Sequence, residues 1–297
     1  MKPPPFAYRA PGSVDQALAD LAELGEDGKV LAGGQSLIPL LNMRLAAPAA
    51  LVDINGVSGL DAITIDDRAV TVGATVRHTD LERHAGAVAA CPLLRQALQL
   101  VAHPVVRNRG TVCGSIAHAD PAGEMTAVLA VLGGTVHVER AGAAPRDIAA
   151  ADFFVAPLES ALEPGDLVTA VTFPRIGARS GSAFVELARR HGDYALCGIA
   201  GVVDVADDGT VGAARVGAVS IHPTPLVVDC GEALAGRMPD AAALRAAGEL
   251  VDEHSRPGAD LHASVTYRRQ LTRVLTARAL AAAVDHAESR RRAQETA

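Results

Sequence analysis

The hydrophobic pattern of residues 1–55 alternates between helical and strand spacing. Residues 13–16 (SVDQ) have the spacing of a capping box and apolar residues follow at helical intervals, so a helix is predicted up to about Gly25. Apolar runs at 29–32 and 51–54 predict strands, and Ser36 is placed to cap a short helix between them. The pattern therefore predicts a small β-α-β lobe.

A second lobe with its own hairpin and helices is predicted to follow. Residues 62–65 and 70–72 flank a turn and predict an antiparallel hairpin. Thr79 begins another capping-box spacing, and an apolar helical face runs through 93–101. A later helix, capped by Asp120, is predicted to bury one face that carries Met125, Val128, Leu129 and Leu132.

Beyond this helix the pattern is first that of strands and then that of helices. Strand patterns occupy 135–139, 167–173, 183–187, 198–205 and 211–221, and the last three are predicted to form a meander. A domain boundary is predicted near 174–182, where Pro, Gly and Arg interrupt two strands. Helices are predicted from Pro239 through Leu250 and over 267–287, the second with Leu271, Val274, Leu275, Ala279 and Leu280 facing inward.

Composition places the chain among globular proteins and disfavours nucleic-acid binding as its activity. Hydrophobic residues make up 49 % and charged residues 21 %, as in soluble globular proteins. The length of 297 residues suits a substantial core and either two domains or one divided domain with an extension. A net charge of -7 and the absence of Trp disfavour nucleic-acid binding, which needs basic surfaces and stacking aromatics. The basic run 290–292 is interpreted as a solvated helix end rather than a binding patch.

Several kinds of site and location are disfavoured by the sequence. No stretch reaches about 18 uninterrupted apolar residues, so no membrane span is predicted. Residues 1–5 lack the apolar core of a signal peptide, and a cytoplasmic location is expected. Because no C-x-x-C pair occurs, no zinc site or iron–sulfur cluster is predicted on this chain. The four cysteines, expected to be reduced and packed, are Cys91, Cys113, Cys197 and Cys230.

Two segments of small residues are candidates for binding an anionic group. Residues 32–36 (AGGQS) follow a predicted strand and precede a predicted helix, and residues 109–125 combine a glycine-containing loop with a helix start. Free backbone N–H donors, with the hydroxyls of Thr111 and Ser115, suit a diphosphate. We predict that the two segments close on one ligand from opposite sides.

The commoner phosphate motifs are missing, whereas the two segments resemble a known family. Neither G-x-G-x-x-G after a strand nor G-x-x-x-x-G-K-[ST] occurs. Residues 32–36 (AGGQS), 106–115 (VRNRGTVCGS) and 117–122 (AHADPA) resemble the FAD-binding subunit of molybdenum hydroxylases. This group includes the medium subunit of aerobic carbon monoxide dehydrogenase and the flavin portion of xanthine dehydrogenases. Residues 190–194 (RHGDY) and 267–269 (YRR) extend the resemblance over nearly the whole chain.

The resemblance implies an α+β fold with a two-lobed FAD-binding domain of the para-cresol methylhydroxylase type. A C-terminal domain with a three-stranded antiparallel sheet and helices is expected to follow it. We accordingly expect the FAD-binding domain at 1–175, with a small lobe at 1–55 and a larger lobe at 56–175. The C-terminal flavoprotein domain is expected at 176–290 and a tail at 291–297.

The resemblance also implies which residues hold the cofactor. The two glycine segments would hold the FAD diphosphate and ribityl chain, and Leu37 would lie where the family packs the flavin. Glu124 would bond ribityl or neighbouring hydroxyls, Val168 would lie against the adenine, and Tyr194 would screen the isoalloxazine ring. The predicted cofactor-binding residues are Ala32, Gly33, Gly34, Gln35, Ser36, Leu37, Thr111, Val112, Cys113, Gly114, Ser115, Glu124, Val168 and Tyr194. No catalytic residue and no metal ligand is predicted on this chain.

Several residues in the second segment have structural alternatives. Cys113 stands where the family usually has glycine, and a packed small residue is favoured over a reactive thiol. His118 and Asp120 are favoured as a loop hydrogen-bonder and a helix cap over a catalytic pair. Arg107 and Arg109 suit FAD phosphates or a partner as well as they suit fixing the loop through carbonyls.

Two of the implied cofactor residues also have structural alternatives. Glu124 suits the dipole of a helix start as well as it suits ribityl binding. Tyr194 is favoured as a core residue when the resemblance is set aside.

The resemblance implies an oxidoreductase component: an electron-transfer subunit whose FAD accepts reducing equivalents from a partner's [2Fe–2S] clusters and passes them to an external acceptor. A small iron–sulfur subunit and a large molybdenum-cofactor subunit would complete the complex, as a dimer of heterotrimers. Two alternatives stay open. One is a self-sufficient FAD-dependent oxidoreductase acting directly on a small substrate, and the other is a non-catalytic assembly subunit that has lost FAD.

Overall fold

The N-terminal lobe is a three-stranded parallel sheet with short helices. The computed structural model describes residues 2–295. The lobe contains β1 (Ala7–Arg9), α1 (Val14–Leu24), β2 (Gly28–Leu31), α2 (Leu37–Asn42) and β3 (Ala50–Asp53). β3 lies between β1 and β2, and both pairs are parallel. The predicted β-α-β unit is therefore present, with β1 added as an outer strand.

One predicted helix cap in this lobe is confirmed and the other is wrong. The Ser13 side chain accepts a hydrogen bond from the Gln16 amide, and α1 ends at Leu24 as its pattern predicts. Ser36 accepts no capping bond, because its backbone is already helical (φ −96°, ψ −46°). A capping residue normally has an extended backbone that brings its oxygen onto the amides ahead of it.

The second lobe is a five-stranded antiparallel sheet in the order β4-β5-β10-β6-β7. Its strands are β4 (Ile63–Ile65), β5 (Ala69–Gly73), β6 (Thr135–Glu139), β7 (Arg146–Ala149) and β10 (Leu167–Pro174). The hairpin β8 (Phe154–Ala156) and β9 (Glu159–Ser160) forms a separate small sheet. The helices are α3 (His78–Arg83), α4 (Ala85–Ala90), α5 (Pro92–Leu98), α6 (Pro104–Arg107), α7 (Val112–His118), α8 (Glu124–Leu132) and α9 (Ala150–Phe153).

Two helix starts in the second lobe differ from their predictions. α3 begins one residue before Thr79, whose hydroxyl donates to Asn108 Oδ1 (2.8 Å) instead of capping the helix. α8 begins at Glu124 rather than after Asp120, which forms a turn: its carboxylate accepts from the Ala122 amide (2.8 Å). Asp, Ser and Thr favour both caps and turns, so spacing alone did not separate the two.

Helix α8 is buried on all of its faces rather than on the single face predicted. Every residue of α8 except Ala130 is buried. The helix packs between the second-lobe sheet and the C-terminal sheet. Gly217 of the C-terminal sheet approaches it so closely that a Cβ there would lie 2.8 Å from the Ala127 carbonyl oxygen. A helix enclosed in this way needs apolar residues all round, and periodicity cannot distinguish its faces.

The C-terminal domain is a four-stranded antiparallel sheet covered by helices. Its elements are β11 (Ser180–Ala188), β12 (Ala195–Val205), β13 (Val211–Val219), β14 (Leu226–Asp229), α10 (Gly231–Leu234), α11 (Ala241–His254) and α12 (Val265–Glu295). The predicted meander of β11, β12 and β13 is confirmed. The expected count of three strands is wrong by one, because β14 pairs with β13.

Helix α12 covers this sheet and differs from the prediction in two details. Val274 is 40 % exposed rather than inward-facing, whereas Leu271, Leu275, Ala279 and Leu280 are buried. The helix continues through the first part of the expected tail 291–297 and reaches Glu295. Thr296 and Ala297 lie outside the described residues.

The contact between β11 and α12 is made by backbone atoms at Gly181. A Cβ at this position would lie 1.9 Å from the Ala283 carbonyl oxygen and 2.4 Å from the Ala287 amide nitrogen. Neither atom belongs to a flexible side chain, so the helix itself would have to shift. Gly181 therefore sets the distance between the sheet and the helix.

We expect Gly181→Ala to destabilise the chain, because overpacking of this kind costs about 1–3 kcal/mol. The measurement is the midpoint of thermal unfolding followed by circular dichroism. Gly258→Ala is the matched control, since a Cβ there has no neighbour within 4 Å and Gly258 has no positive φ. Equal midpoints for the two variants would contradict the expectation.

Candidate functional site

The two glycine segments are in direct backbone contact. A Cβ at Gly33 would lie 2.4 Å from the Arg109 carbonyl oxygen, 2.7 Å from Gly110 Cα and 2.9 Å from the Thr111 nitrogen. Only a residue without a side chain fits at this distance. The segments, about eighty residues apart in sequence by their numbering, thus form one continuous surface.

Two polar side chains outside both segments hold them together. Arg77 donates through Nη1 to the Arg109 carbonyl (2.6 Å) and through Nη2 to Asn55 Oδ1 (2.7 Å). Asn55 in turn donates from Nδ2 to the Ala32 carbonyl (2.8 Å). Neither Arg77 nor Asn55 was singled out in the sequence, because each lies outside the glycine patterns and between other elements. The pair connects the first segment to the second.

The first segment presents unpaired backbone donors. Gly34 has a φ of +73°, a conformation that favours glycine, and Gln35 Nε2 donates to the Gly33 carbonyl (3.2 Å). Within residues 2–295, the backbone amides of 33–36 donate to no protein acceptor. All these residues are partly exposed. Four consecutive free amides form a site suited to an anion.

The second segment is a helix start rather than an open loop. The Thr111 side chain caps α7 by accepting from the Gly114 amide (3.1 Å). The Val112 amide donates to the Val76 carbonyl (3.2 Å) and the Ser115 amide to the Thr111 carbonyl (3.0 Å). Of the five amides from Thr111 to Ser115, those of Thr111 and Cys113 thus lack a protein acceptor among the described residues. The segment offers fewer free donors than its sequence suggests.

Cys113 points into the core and not towards the cleft surface. Its side chain is buried, and Sγ donates to the Val72 carbonyl (3.3 Å) on β5. Burial raises the pKa of the Cys113 thiol, which disfavours the thiolate needed for reactivity. The structure therefore supports the packed small residue rather than the reactive thiol.

The two arginines before the second segment have different environments. Arg107 is buried, where it pairs with Glu82 (3.0 Å) and donates to the carbonyls of Val101 (3.0 Å) and Ala102 (3.3 Å). It fixes the preceding turn and does not face a ligand. Arg109, by contrast, is exposed.

His78 lies directly beneath the second segment. A Cβ at Gly110 would lie 3.1 Å from His78 Nδ1, and the His78 amide donates to the Gly110 carbonyl (3.0 Å). Neither ring nitrogen has a hydrogen-bond partner within the described part of the chain. Burial, with the charge of Arg107, lowers the pKa of His78 to about 4, so the ring is neutral near pH 7.

Acidic residues and a tyrosine cluster near the start of α8, where this helix meets the C-terminal domain. Glu124 is buried at the start of α8, and burial together with the nearby Glu186 and Asp120 carboxylates raises the pKa of Glu124 to about 8. Burial raises the pKa of Glu186 to about 7, and its Oε2 has no partner among residues 2–295. Ser220 Oγ is likewise buried and unpaired there. Glu186 and Ser220 were missed in the sequence because they end strand patterns without any motif.

Tyr194 projects into this region. It is 66 % exposed, so the core alternative for Tyr194 is wrong. Desolvation within the cleft, with the Asp120 and Glu124 carboxylates nearby, raises the pKa of Tyr194 to about 12. Its hydroxyl therefore stays protonated across the physiological pH range.

Val168 and His118 are less clearly placed for ligand contact. Val168 is only 8 % exposed and pairs with Val138 in the second-lobe sheet. His118 ends α7, and Asp120 is engaged in its turn with Ala122, so the structure does not bring them together as a hydrogen-bonded pair.

Two negative observations apply to residues 2–295. No group of three or more His, Cys, Asp or Glu side chains is arranged to hold a metal ion. No helix in this range combines the length and the apolar character needed to cross a bilayer.

Comparison with known proteins gives two family matches that together span most of the chain. Residues 4–176 match the FAD binding domain in molybdopterin dehydrogenase. Residues 182–283 match the CO dehydrogenase flavoprotein C-terminal domain.

Individual relatives extend over nearly their whole lengths. The 6-hydroxypseudooxynicotine dehydrogenase complex subunit alpha of Paenarthrobacter nicotinovorans is 38 % identical over 97 % of this chain and 97 % of its own. The carbon monoxide dehydrogenase medium chain of Hydrogenophaga pseudoflava is 35 % identical over 95 % of this chain and 98 % of its own. A solved structure of carbon monoxide dehydrogenase from that organism, lacking the Mo-pyranopterin moiety, superposes with a TM-score of 0.92 at 35 % identity, covering 96 % of this chain and 99 % of the other.

The raised pKa of Glu124 predicts a pH-dependent stability. Because the folded chain binds this proton more tightly than the unfolded chain, the contribution of Glu124 to stability is fully present below about pH 4.3 and is lost as the pH rises from there through about 8. Glu124→Gln removes the titration. We expect the thermal midpoint of both proteins to fall between pH 6 and 9 at equal FAD content. The fall should be smaller in Glu124→Gln than in the wild-type chain, by about 3 °C or more. Glu253→Gln, at an exposed position, is the control; parallel profiles for all three proteins would contradict the prediction.

Proposed function

The chain belongs to the family of FAD-binding subunits of molybdenum hydroxylases, and from this premise we propose that it holds FAD across its two glycine segments as the electron-relay subunit of such a complex. The observation that carries the proposal is the contact of Gly33 with residues 109–111 beside a row of free backbone amides. It is an oxidoreductase component, since its relatives are subunits of dehydrogenases.

The residues of the cleft fit a dinucleotide with a charged centre and hydroxyl-rich arms. The free amides at 33–36 suit a diphosphate, which needs several donors and no bulky side chains. The buried Glu124 carboxyl group and the unpaired atoms Glu186 Oε2 and Ser220 Oγ suit hydroxyl or N–H donors. A ligand with both kinds of group would satisfy both halves of the cleft.

We assign roles to the residues accordingly. Segments 32–36 and 111–115 hold the diphosphate and ribityl chain, and Leu37 packs near the flavin. Glu124 accepts from ribityl hydroxyls, and Tyr194 covers the isoalloxazine ring from the exposed side. Val168 is limited to an edge contact with the adenine, because only a small part of it is exposed. Bound FAD supplies the redox chemistry, whereas this chain orients it and excludes water.

Electrons must come from another subunit. The four cysteines of this chain are all buried and reduced, and they are far apart in sequence. We propose a small subunit with [2Fe–2S] clusters and a large subunit with the molybdenum cofactor as partners, in a dimer of heterotrimers. The printed names of the relatives, a dehydrogenase complex subunit and a medium chain, support an assembly of several subunits. We also propose a cytoplasmic location, as the sequence predicts.

The relay function and a self-sufficient oxidoreductase differ in what the isolated chain can do. For a relay subunit, the FAD-loaded chain alone is not bleached by organic substrates, because no residue group on it performs substrate chemistry. Bleaching requires the two partner subunits. Anaerobic absorbance at the flavin band, with and without the co-purified partners, distinguishes the two, and bleaching of the isolated chain would refute the relay.

The role of the glycine contact is tested by Gly33→Ala. The new Cβ would lie 2.4 Å from the Arg109 carbonyl oxygen and push the two segments apart, so we expect FAD affinity to fall by about tenfold or more. Titration of apoprotein with FAD, followed by flavin fluorescence, measures the change.

Gly56→Ala is the matched control in the same lobe, since its nearest neighbour would be 3.9 Å away and Gly56 has no positive φ. Unchanged affinity in Gly33→Ala would refute the proposed cradle. Absence of FAD binding in the wild-type chain would refute the proposed function itself.

A further inference from the structure

The loop between β11 and β12 rests on a histidine of the FAD-binding domain. Gly192 in this loop has a φ of +85°, and a Cβ there would lie 2.5 Å from Cε1, 2.6 Å from Nε2 and 2.8 Å from Nδ1 of His103. Near-equal distances to three ring atoms show that the side-chain direction of Gly192 points onto the face of the imidazole. The neighbouring His191 ring meets His103 edge-on, with centroids 5.7 Å apart and planes at 69°. We call this contact the His103 seat.

The loop that occupies the seat has a fixed shape. The Asp193 amide donates to the Arg190 carbonyl (3.1 Å), and Arg190 Nε donates to Asp193 Oδ2 (3.2 Å). Arg189 connects the loop to His262, with Nη1 2.8 Å from His262 Nδ1, and its Nε lies 3.9 Å from Asp193 Oδ2. The turn is therefore closed by its own hydrogen bonds.

The seat lies between two parts of the proposed cofactor site. On one side, Tyr194 follows the loop directly and projects beside Asp120 and Glu124. On the other side, His103 immediately precedes α6, and α6 leads into the second glycine segment at 109–111. A shift of the loop relative to His103 would therefore move Tyr194 relative to the second segment.

We propose that His103 is a positioning residue, whose ring seats the β11–β12 loop at Gly192 and thereby holds Tyr194 across the cofactor cleft. The inference rests on the proposed function, since it assumes that the cleft holds FAD. Gly192 is required twice: for its positive φ and for the absence of a side chain against the ring. The seat sets how much of the bound flavin is open to an external acceptor.

Gly192→Ala tests the seat against a matched control. Gly209 lies in the next hairpin loop with a φ of +83°, so alanine is strained equally at both positions, but the nearest atom at Gly209 is Met238 Cε at 3.5 Å. Any difference between Gly192→Ala and Gly209→Ala therefore reports the contact with His103.

The measurement is collisional quenching of flavin fluorescence by iodide in the FAD-loaded full chain. Overpacking at the seat should lower the ratio of seated to unseated loop by about tenfold or more. We expect the quenching constant of Gly192→Ala to rise towards that of free FAD, while Gly209→Ala keeps the wild-type value. FAD content should be the same in both, because neither residue contacts the glycine segments.

Variants of His103 show whether the ring itself is responsible. His103→Phe keeps a flat ring and should retain near wild-type quenching, whereas His103→Ala should raise it. In the double variant His103→Ala with Gly192→Ala, the new methyl group has space, so the two increases should not add.

Each outcome has a definite meaning. Equal quenching in Gly192→Ala and Gly209→Ala, or additive effects in the double variant, would overturn the seat while leaving FAD binding intact. A wild-type chain that binds no FAD would instead refute the proposed function. Loss of folding in Gly192→Ala leaves the His103→Phe and His103→Ala pair as the deciding comparison, and equal quenching in these two would overturn the seat.

Discussion

The approach of Gly33 to the backbone of Arg109, Gly110 and Thr111 is the constraint on which the site depends. At this point two lobes meet through main-chain atoms, with no side chain between them. Main-chain contact leaves no rotamer to adjust, so the separation of the lobes is fixed more tightly than side-chain packing would fix it. A chain of hydrogen bonds connects the same two segments: Asn55 donates to the Ala32 carbonyl and accepts from Arg77. Arg77 in turn donates to the Arg109 carbonyl. The free amides of the first segment are thereby held in one orientation before any ligand binds, which lowers the entropy lost on binding.

A second constraint connects this cradle to the C-terminal domain. Helix α8 is buried between the two main sheets, and Gly217 on β13 also approaches its backbone closely, although less closely than Gly33 approaches the second segment. Because Glu124 is the first residue of that helix, its carboxyl group is carried into the domain junction, where water is excluded. The acidic groups there have raised pKa values because nothing positive compensates their burial. The junction therefore presents unpaired acceptors at Glu186 and Ser220, whereas the first segment presents unpaired donors.

Local patterns in the sequence predicted the helices and strands well where a residue pattern was compatible with only one local structure. The capping box at Ser13 and the meander of β11, β12 and β13 are present, because a cap and an alternating strand each have a distinct local signature. Thr79 and Asp120 were misassigned, since the same side chains also form turns and tertiary hydrogen bonds. Helix α8 lacked a polar face, so its environment was set by tertiary packing that no periodicity records. For the site, the small residues and helix starts indicated the two glycine segments, and the resemblance implied their ligand. Arg77, Asn55 and Glu186 act through contacts between residues distant in sequence and carry no motif.

The direction of the Cys113 side chain and the pairing of nearby amides determine how many backbone N–H donors each segment offers to a ligand. Glycine at this position in the family suggests that the backbone must be approached closely, which would make a cysteine damaging. The Cβ instead points towards Val72 beneath the helix, so the surface side of the backbone stays open. The second segment has fewer free donors, because the Gly114 and Ser115 amides are paired within the helix start and the Val112 amide donates to the Val76 carbonyl, whereas the amides of residues 33–36 are free. Donor capacity therefore lies mainly in the first segment, and the second acts as the rigid floor against which Gly33 positions those donors. A substitution that disturbs the first segment should thus affect an anionic ligand more than the cysteine in the second does.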